Sequence, residues 1–161
     1  MIKPDSFIYG KVRTVCARWR TNPWPAVTGV YCVALFWLSS GPAAPLPGGF
    51  PGTDKVLHFA AYLPLAALAA LSLERSGRAW SARFLFAGPA LFAAAYGLSD
   101  EAHQLFVASR QADFLDWVAD AAGGTAGAWL MAGTRKYRSA GYGPDWLRPE
   151  TAARYGGADH A

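Results

Sequence analysis

The sequence predicts an all-α integral membrane protein, built as a four-helix bundle that runs up, down, up and down. Three observations predict this fold. The 161-residue chain is 53% hydrophobic, and its apolar residues fall into four blocks. Its basic residues lie mainly before the first block, between the second and third blocks, and after the fourth. A chain of this length is expected to form one domain.

Each apolar block is about as long as a helix that crosses a bilayer, which needs ~20 residues at 1.5 Å per residue to span ~30 Å of hydrocarbon. The blocks are Trp24–Ser40, Val56–Leu73, Phe84–Ser99 and Phe114–Met131. They are apolar around most of their circumference, whereas the helices of a soluble bundle carry a charged outer face. We therefore predict four transmembrane helices within residues 24–132.

The first block has a second interpretation as a cleaved signal peptide, because the small residues that follow it resemble a cleavage site. The basic segment that precedes it is longer than is usual in a signal. We therefore expect residues 1–23 to form a basic cytoplasmic tail and residues 133–161 a cytoplasmic C-terminal tail.

The distribution of lysine and arginine predicts the orientation, because positive residues near helix ends resist translocation. The N-terminal tail, the loop between the second and third helices and the start of the C-terminal tail carry basic groups at Lys3, Lys11, Arg13, Arg18, Arg20, Arg75, Arg78, Arg83, Arg135, Lys136 and Arg138. The two other loops hold only Lys55 and Arg110. Both termini should be cytoplasmic in a bacterial inner membrane, so the net charge of +4 is a topology signal and indicates no nucleic-acid partner.

Six of the eleven acidic residues lie at helix ends that this topology brings to one membrane face, the outer one. They are Asp54, Asp100, Glu101, Asp113, Asp116 and Asp120. Asp54, His58 and Tyr62 are four residues apart and form one stripe on the second helix. Asp100 should lie beside His103 and Gln104 on the third helix. Three helices can therefore direct polar groups into a shared space.

Two carboxylates of the last helix are expected deep in the membrane. If this helix enters at Asp113, then Asp116 lies about 4 to 5 Å and Asp120 about 10 Å inside. A charged side chain at the centre of a membrane helix costs about 2.5–3.5 kcal/mol on insertion scales, so these carboxylates should face the bundle and be paired or protonated. The small residues Gly123, Gly124, Ala126, Gly127 and Ala128 would allow a close helix contact there.

Most of these residues also have a simpler structural interpretation. Asp54 and Asp113 could cap the helices that follow them. His58 could be a hydrogen-bonded packing residue, Tyr62 an interfacial aromatic, and Arg110 a cation at the headgroup level. Asp116 and Asp120 lie inside the helix and have no such capping role.

Two stretches resemble the VanZ-like membrane protein family, over about residues 28 to 132. The second helix matches D-K-x-x-H-x-x-x-Y, and it is followed by D-E-x-x-Q, F-V-x-x-R and D-x-x-x-[DN]-x-x-G. The matching residues are Asp54, Lys55, His58, Tyr62, Asp100, Glu101, Gln104, Phe106, Val107, Arg110, Asp116, Asp120 and Gly123. Ala108 and Ser109 stand where a Pro-Gly pair often precedes the arginine.

The resemblance implies an integral membrane protein of the bacterial cell envelope, with a founding member linked to low-level resistance to the glycopeptide teicoplanin. It implies no known reaction. The leading hypothesis from the residues is a polar pocket that binds, and in its enzymatic form modifies, an anionic envelope lipid or a lipid-linked cell-wall precursor. Arg110 and Lys55 would hold the anionic group, beside Tyr62 and Gln104.

In the enzymatic form, His58 or Glu101 would serve as acid or base, and Asp116 and Asp120 would orient them. The carboxylates would also suit a divalent cation. A further candidate set of metal ligands is Asp54, Asp100, His103 and Asp113.

The alternative hypothesis is non-enzymatic, and it makes the acidic cluster a structural lock or a proton or ion carrier. In that case Arg110 or Lys55 pairs with Asp116 and Asp120. Transport by only four helices would require a homo-oligomer. The spacing from Ser109 and Arg110 to Asp120 resembles a lipid-phosphatase signature, but Asp116 replaces its nucleophilic histidine.

Overall fold

The computed structural model describes residues 22–41, 51–108 and 110–140, and these residues form four α-helices without a strand. The helices are α1 (Trp24–Ser39), α2 (Thr53–Glu74), α3 (Ala82–Gln104) and α4 (Phe114–Ser139). The predicted all-α, four-helix fold is confirmed. Nearly all of the N-terminal tail, most of the first loop, Ser109 and the last 21 residues lie outside the described residues, so the predictions for them stay predictions.

Three helices extend beyond the predicted apolar blocks, because backbone hydrogen bonding does not stop where the apolar residues stop. The helix α3 continues to Gln104 and so includes the acidic pair of residues that follows Ser99. The helix α4 continues past residue 132, where the C-terminal tail was expected to begin. Its added turns carry Arg135, whose Nε lies 3.1 Å from Glu74 Oε1 at the end of α2.

The helices α2 and α4 form the most extensive helix contact of the described residues, and glycines make their close approach feasible. Gly123 and Gly127 lie one turn apart on α4, against the carbonyl oxygens of Phe59 and Leu63 on α2. A Cβ atom at either glycine would overlap with the facing oxygen. Gly124 packs instead against Ala93 of α3. The small-residue face of α4 is therefore its contact surface, as predicted.

The helix α1 is peripheral, since it packs on α2 and has only slight contact with α3. Side-chain hydrogen bonds to the backbone of a neighbour attach it at two levels. The Tyr31 hydroxyl donates to the carbonyl of Ala61 at 2.9 Å, and the Tyr96 hydroxyl donates to the carbonyl of Cys32 at 2.6 Å.

Side-chain contacts show that α2 and α4 begin at the same end of the bundle at which α1 and α3 end. Lys55 near the start of α2 contacts Asp113, which precedes α4, at 2.8 Å. Ser40 after α1 contacts His103 near the end of α3 at 2.9 Å. We call this end of the bundle the site end, because the predicted polar residues lie there.

The outer surface of the bundle is apolar. The helices α2 and α3 are long and apolar enough to cross a membrane, and only 22% and 17% of their most apolar windows are buried. Large apolar side chains point outward, among them Trp37, Leu91 and Leu98 with exposed fractions of 80%, 69% and 59%. A core helix of a soluble protein would be mostly buried, so this surface supports the predicted membrane protein. The sides on which the loops and termini lie stay a prediction.

We expect Gly127→Val to separate α2 from α4, because the added side chain meets the Leu63 carbonyl. Overpacking of this kind costs about 1–3 kcal/mol of the free energy of unfolding. Unfolding in mixed micelles, followed by circular dichroism, would measure the loss. Gly133→Val on the same helix is the matched control, since a Cβ at Gly133 meets no atom within 4 Å. Equal stability of the two variants would contradict this packing.

Candidate functional site

An ion-pair cluster, which we call the Lys55 cluster, joins the first turns of α2 and α4. The Lys55 ammonium donates to Asp54 Oδ2 at 2.9 Å, Asp113 Oδ2 at 2.8 Å and Asp116 Oδ1 at 2.9 Å. An ammonium has three donors, and all three are used here. The predicted role of Lys55 in holding a phosphate stays a prediction, since it would require one of these carboxylates to give up its hydrogen bond. This geometry fits the alternative of a structural lock between Lys55 and Asp116.

Asp113 combines its ion pair with the capping role expected from the sequence. Its Oδ1 accepts from the backbone N–H of Leu115 at 2.9 Å, which satisfies a free donor of the first turn of α4. Its own backbone N–H donates to Glu101 Oε2 at 2.8 Å. The Lys55 ammonium lowers the pKa of the Asp113 carboxyl below its ordinary value.

The corresponding expectation for Asp54 is wrong. Gly52 is the N-cap residue that precedes α2, with φ at 90°, and no side-chain hydrogen bond caps this helix among the described residues. Asp54 lies in the first turn and contacts Lys55. The inward stripe of α2 therefore runs through Lys55, His58 and Tyr62, rather than through Asp54.

A second group of polar residues lies deeper in the bundle, and we call it the polar centre. It consists of His58, Tyr62, Asp100, Glu101, Gln104 and Asp120. His58 Nδ1 lies 2.9 Å from Asp120 Oδ1, so the imidazole N–H can donate to this carboxylate. The other ring nitrogen, Nε2, lies 3.9 Å from Asp116 Oδ2. Asp116 therefore connects the polar centre with the Lys55 cluster.

The polar centre is almost completely shielded from solvent. Asp120 is 0% exposed, Tyr62 2%, Gln104 3%, and Asp100 and Glu101 6% each. Burial of unpaired carboxylates is expensive, so such groups need partners, protons or a bound ion. The predicted inward orientation of Asp120 is confirmed by this burial.

Gly97 on α3 is a site residue that the sequence analysis missed. A Cβ atom at this position would lie 2.7 Å from Asp120 Oδ2. The absence of a side chain thus lets the Asp120 carboxylate lie directly against α3. The available signal was a small residue one turn before Asp100 and Glu101 on the same helix.

Four buried oxygen atoms of the polar centre have no hydrogen-bond partner among the described residues. They are Tyr62 Oη, Asp100 Oδ1, Glu101 Oε1 and Asp120 Oδ2. Buried polar atoms are nearly always hydrogen-bonded in folded proteins. The concentration of four exceptions in one place indicates a site that accepts protons, an ion or a polar group of a ligand.

Two sets of side chains have the spacing of metal ligands. In each set, one ligand atom per residue lies within 4.8 Å of the others, and the sets are His58, Glu101 and Asp120, and Asp54, Asp113 and Asp116. The second set surrounds the Lys55 ammonium. The structure does not bring the predicted set together, because Asp54 and Asp113 lie at Lys55, Asp100 lies in the polar centre, and His103 faces α1.

Arg110 and His103 both contact α1 rather than the polar centre. Arg110 donates to the carbonyls of Gly41 at 2.9 Å and Leu38 at 3.2 Å, where a cation offsets the negative end of a helix dipole. His103 bonds Ser40, and its ring lies 4.4 Å from that of Phe36. Arg110 thus attaches the α3–α4 loop to α1, and its phosphate-binding role stays a prediction.

We expect Asp113→Asn to remove the ion pair and to keep the helix cap, since an amide oxygen can still accept from Leu115. Because the folded-state pKa of Asp113 is lowered, its stabilising effect is present above pH about 4 and is lost as the pH falls through the lowered pKa. Thermal unfolding of both proteins between pH 3 and 7 would measure this. The variant should be less stable at neutral pH, and the difference should narrow in acid; a constant difference would contradict the ion pair.

The family model VanZ/LLP1 matches residues 18–135, a range that contains all four helices up to Arg135 and every residue of both polar groups. No curated protein and no solved structure matches the chain. The matched range covers well over half of the sequence, and the chain therefore belongs to the VanZ/LLP1 family.

Proposed function

We propose that this protein crosses the bacterial inner membrane several times and binds an anionic envelope lipid, or a lipid-linked cell-wall precursor, at the polar centre. In its enzymatic form it modifies the headgroup that it binds. The observation that carries the proposal is the contact of the partly exposed His58 with the fully buried Asp120, beside oxygens that have no partner among the described residues, at one end of an apolar bundle. A link to teicoplanin resistance, as the family resemblance implies, belongs to the same proposal.

The surroundings of the polar centre favour a ligand that is itself embedded in the membrane. Large apolar side chains are exposed on the α3–α4 loop and at the start of α4. They include Phe106 at 87%, Leu105 at 71%, Phe114 at 70% and Leu115 at 56%. Such residues are suited to the boundary between headgroups and acyl chains. A lipid headgroup is the polar group that reaches a site at this depth.

The His58–Asp120 pair supplies the chemical capacity. A buried carboxylate that accepts from one ring nitrogen fixes the orientation of the imidazole and leaves the other nitrogen available to bind or transfer a proton. Enzymes use this arrangement for proton transfer, and metalloproteins use it to hold a ligand in place. Glu101 accepts through one oxygen from the Asp113 N–H, and its second oxygen has no partner within the described part of the chain.

Lys55 and Arg110, the two cations predicted to hold the headgroup, do not by themselves balance the negative charge of the site. All three donors of Lys55 are used, and Arg110 contacts the end of α1. Acidic groups dominate the rest of the site, so an anionic headgroup would be repelled unless protons or a cation accompany it. Tyr62 and Gln104 stay the predicted neutral contacts of the ligand.

The second candidate function is a non-enzymatic scaffold or proton-carrying protein. The saturated coordination of Lys55 favours it, because the Lys55 cluster then serves only to join α2 with α4. Retention of a lipid separates the two candidates, since a scaffold has no reason to hold one headgroup at His58.

Lipid retention should depend on His58 and not on His103. We expect wild-type protein extracted with native lipids to carry a discrete anionic lipid in native mass spectrometry. His58→Asn should retain about a tenth of it or less, which is the effect of a tenfold weaker affinity when the lipid is subsaturating. His103→Asn is the matched control because His103 contacts α1. Equal retention by all three proteins, or none by the wild type, would leave the scaffold function.

The proposed orientation places the site end on the outer side of the membrane. In a chain whose native cysteines are replaced by serine, we expect Ala112→Cys to react with a membrane-impermeant maleimide in intact cells. Ala79→Cys, in the loop between α2 and α3, should react only after the cells are permeabilised. Both positions are exposed, and the reverse labelling pattern would invert the orientation.

A further inference from the structure

The polar centre has more hydrogen-bond acceptors than donors. Asp100, Glu101 and Asp120 contribute three buried carboxylates. Gln104 donates to Asp100 Oδ2 at 3.4 Å, and His58 donates to Asp120 Oδ1. One oxygen of each carboxylate remains without a partner among the described residues. A positive group that several oxygens share would satisfy this geometry.

The two acidic sets at the site end differ in one decisive respect. In the Lys55 cluster, an ammonium already lies 2.8–2.9 Å from all three carboxylates and occupies the place of a cation. The set of His58, Glu101 and Asp120 has no lysine or arginine within it. These three side chains come from α2, α3 and α4, so they surround a point between the helices.

We propose that His58, Glu101 and Asp120 bind one divalent transition-metal cation. Their ligand atoms lie within 4.8 Å of one another, and side-chain rotation would have to bring each of them to about 2.0–2.2 Å from a common ion. The unpartnered Glu101 Oε1 and Asp120 Oδ2 belong to residues that are more than nine-tenths buried. These orphaned oxygens are the observation that points to a ligand beyond the acidic cluster itself.

The donor set selects the class of metal. One imidazole nitrogen with two carboxylates suits Zn²⁺ or Mn²⁺, whereas Mg²⁺ and Ca²⁺ prefer sites made of oxygen alone. Neighbouring groups already hold the ligands in place, as outer partners do in metal sites. The Asp113 N–H fixes Glu101, and Asp116 faces the second nitrogen of His58.

The cation would also supply the positive charge that the proposed headgroup requires. Three protein ligands leave a coordination position open for an oxygen atom, and a phosphate oxygen of a lipid could occupy it. This extension rests on the proposed function, in which the ligand is anionic. The metal site itself does not, and it is tested without lipid.

The test uses tag-free, detergent-purified protein, because affinity tags bind the same metals. After treatment with a chelator and its removal, ZnCl₂ or MnCl₂ alone is titrated by calorimetry, and bound metal is counted by mass spectrometry. We expect one ion per chain. Glu101→Gln and Asp120→Asn preserve side-chain size and should each weaken binding by more than about a hundredfold, beyond the 10–100-fold typical of outer partners.

Two controls locate the site. A chain with His103→Asn and His160→Asn keeps His58 as its one histidine and should bind as the wild type does. Asp54→Asn removes a carboxylate of the Lys55 cluster and should also leave binding unchanged. Circular dichroism and gel filtration establish that each variant is folded. The number of ions bound per wild-type chain is a separate test that does not depend on the folding of any variant.

Absence of Zn²⁺ and Mn²⁺ binding by the wild type would overturn the metal site, and so would binding that survives in folded Glu101→Gln and Asp120→Asn. Binding that depends on Asp54 would move the ion to the Lys55 cluster and overturn it as well. None of these three results decides the lipid measurement, because lipid retention at His58 is scored separately. A wild-type protein that retains no lipid but still binds the metal would refute the proposed function alone.

Discussion

The burial of carboxylates in an apolar bundle is the constraint on which this structure depends. Asp120 is fully buried and Asp116 nearly so, and a charged group at such depth must find a partner on a neighbouring helix. Both partners, Lys55 and His58, come from α2. The helices α2 and α4 must therefore begin at the same end of the bundle and lie side by side. The contacts of Gly123 and Gly127 with the α2 backbone make the necessary distance attainable.

The helix α3 completes the site from the opposite direction. It ends where α2 and α4 begin, so its C-terminal turns carry Asp100, Glu101 and Gln104 into the polar centre. Gly97, one turn earlier, gives Asp120 room against α3. A hydrogen bond also joins α3 to the start of α4, because the backbone N–H of Asp113, which precedes α4, donates to the Glu101 carboxylate. The start of α4 is thereby fixed to both of the helices on which it packs.

The number of helices and the inward face of α4 were predictable from sequence, because apolar blocks and the spacing of Asp116, Asp120 and the glycines are local patterns. The individual partners were not. One residue corresponds to 100° around a helix, so the choice between Asp54 and Lys55 as the inward group depends on a rotation that only packing fixes. Arg110 and His103 were expected at the polar site for the same reason. In the structure both contact the end of α1, a helix that lies outside the motifs. Gly97 was missed because it contributes no functional group. It matters only through the space that it leaves for the Asp120 carboxylate, and that space depends on how α3 and α4 pack.

The carboxylates of α4 also have a consequence for biogenesis. Of the described helices, α2 and α3 meet the length and composition of an independent membrane span, and α4 does not. Helices that are stable alone insert first and associate afterwards, but α4 finds the counterions of Asp116 and Asp120 only on α2. If α4 crosses the bilayer as the sequence predicts, its entry is coupled to its docking on α2, which is synthesised earlier. Insertion and folding of α4 would then be one event, for which α2 must stay near the nascent chain until the last helix is complete.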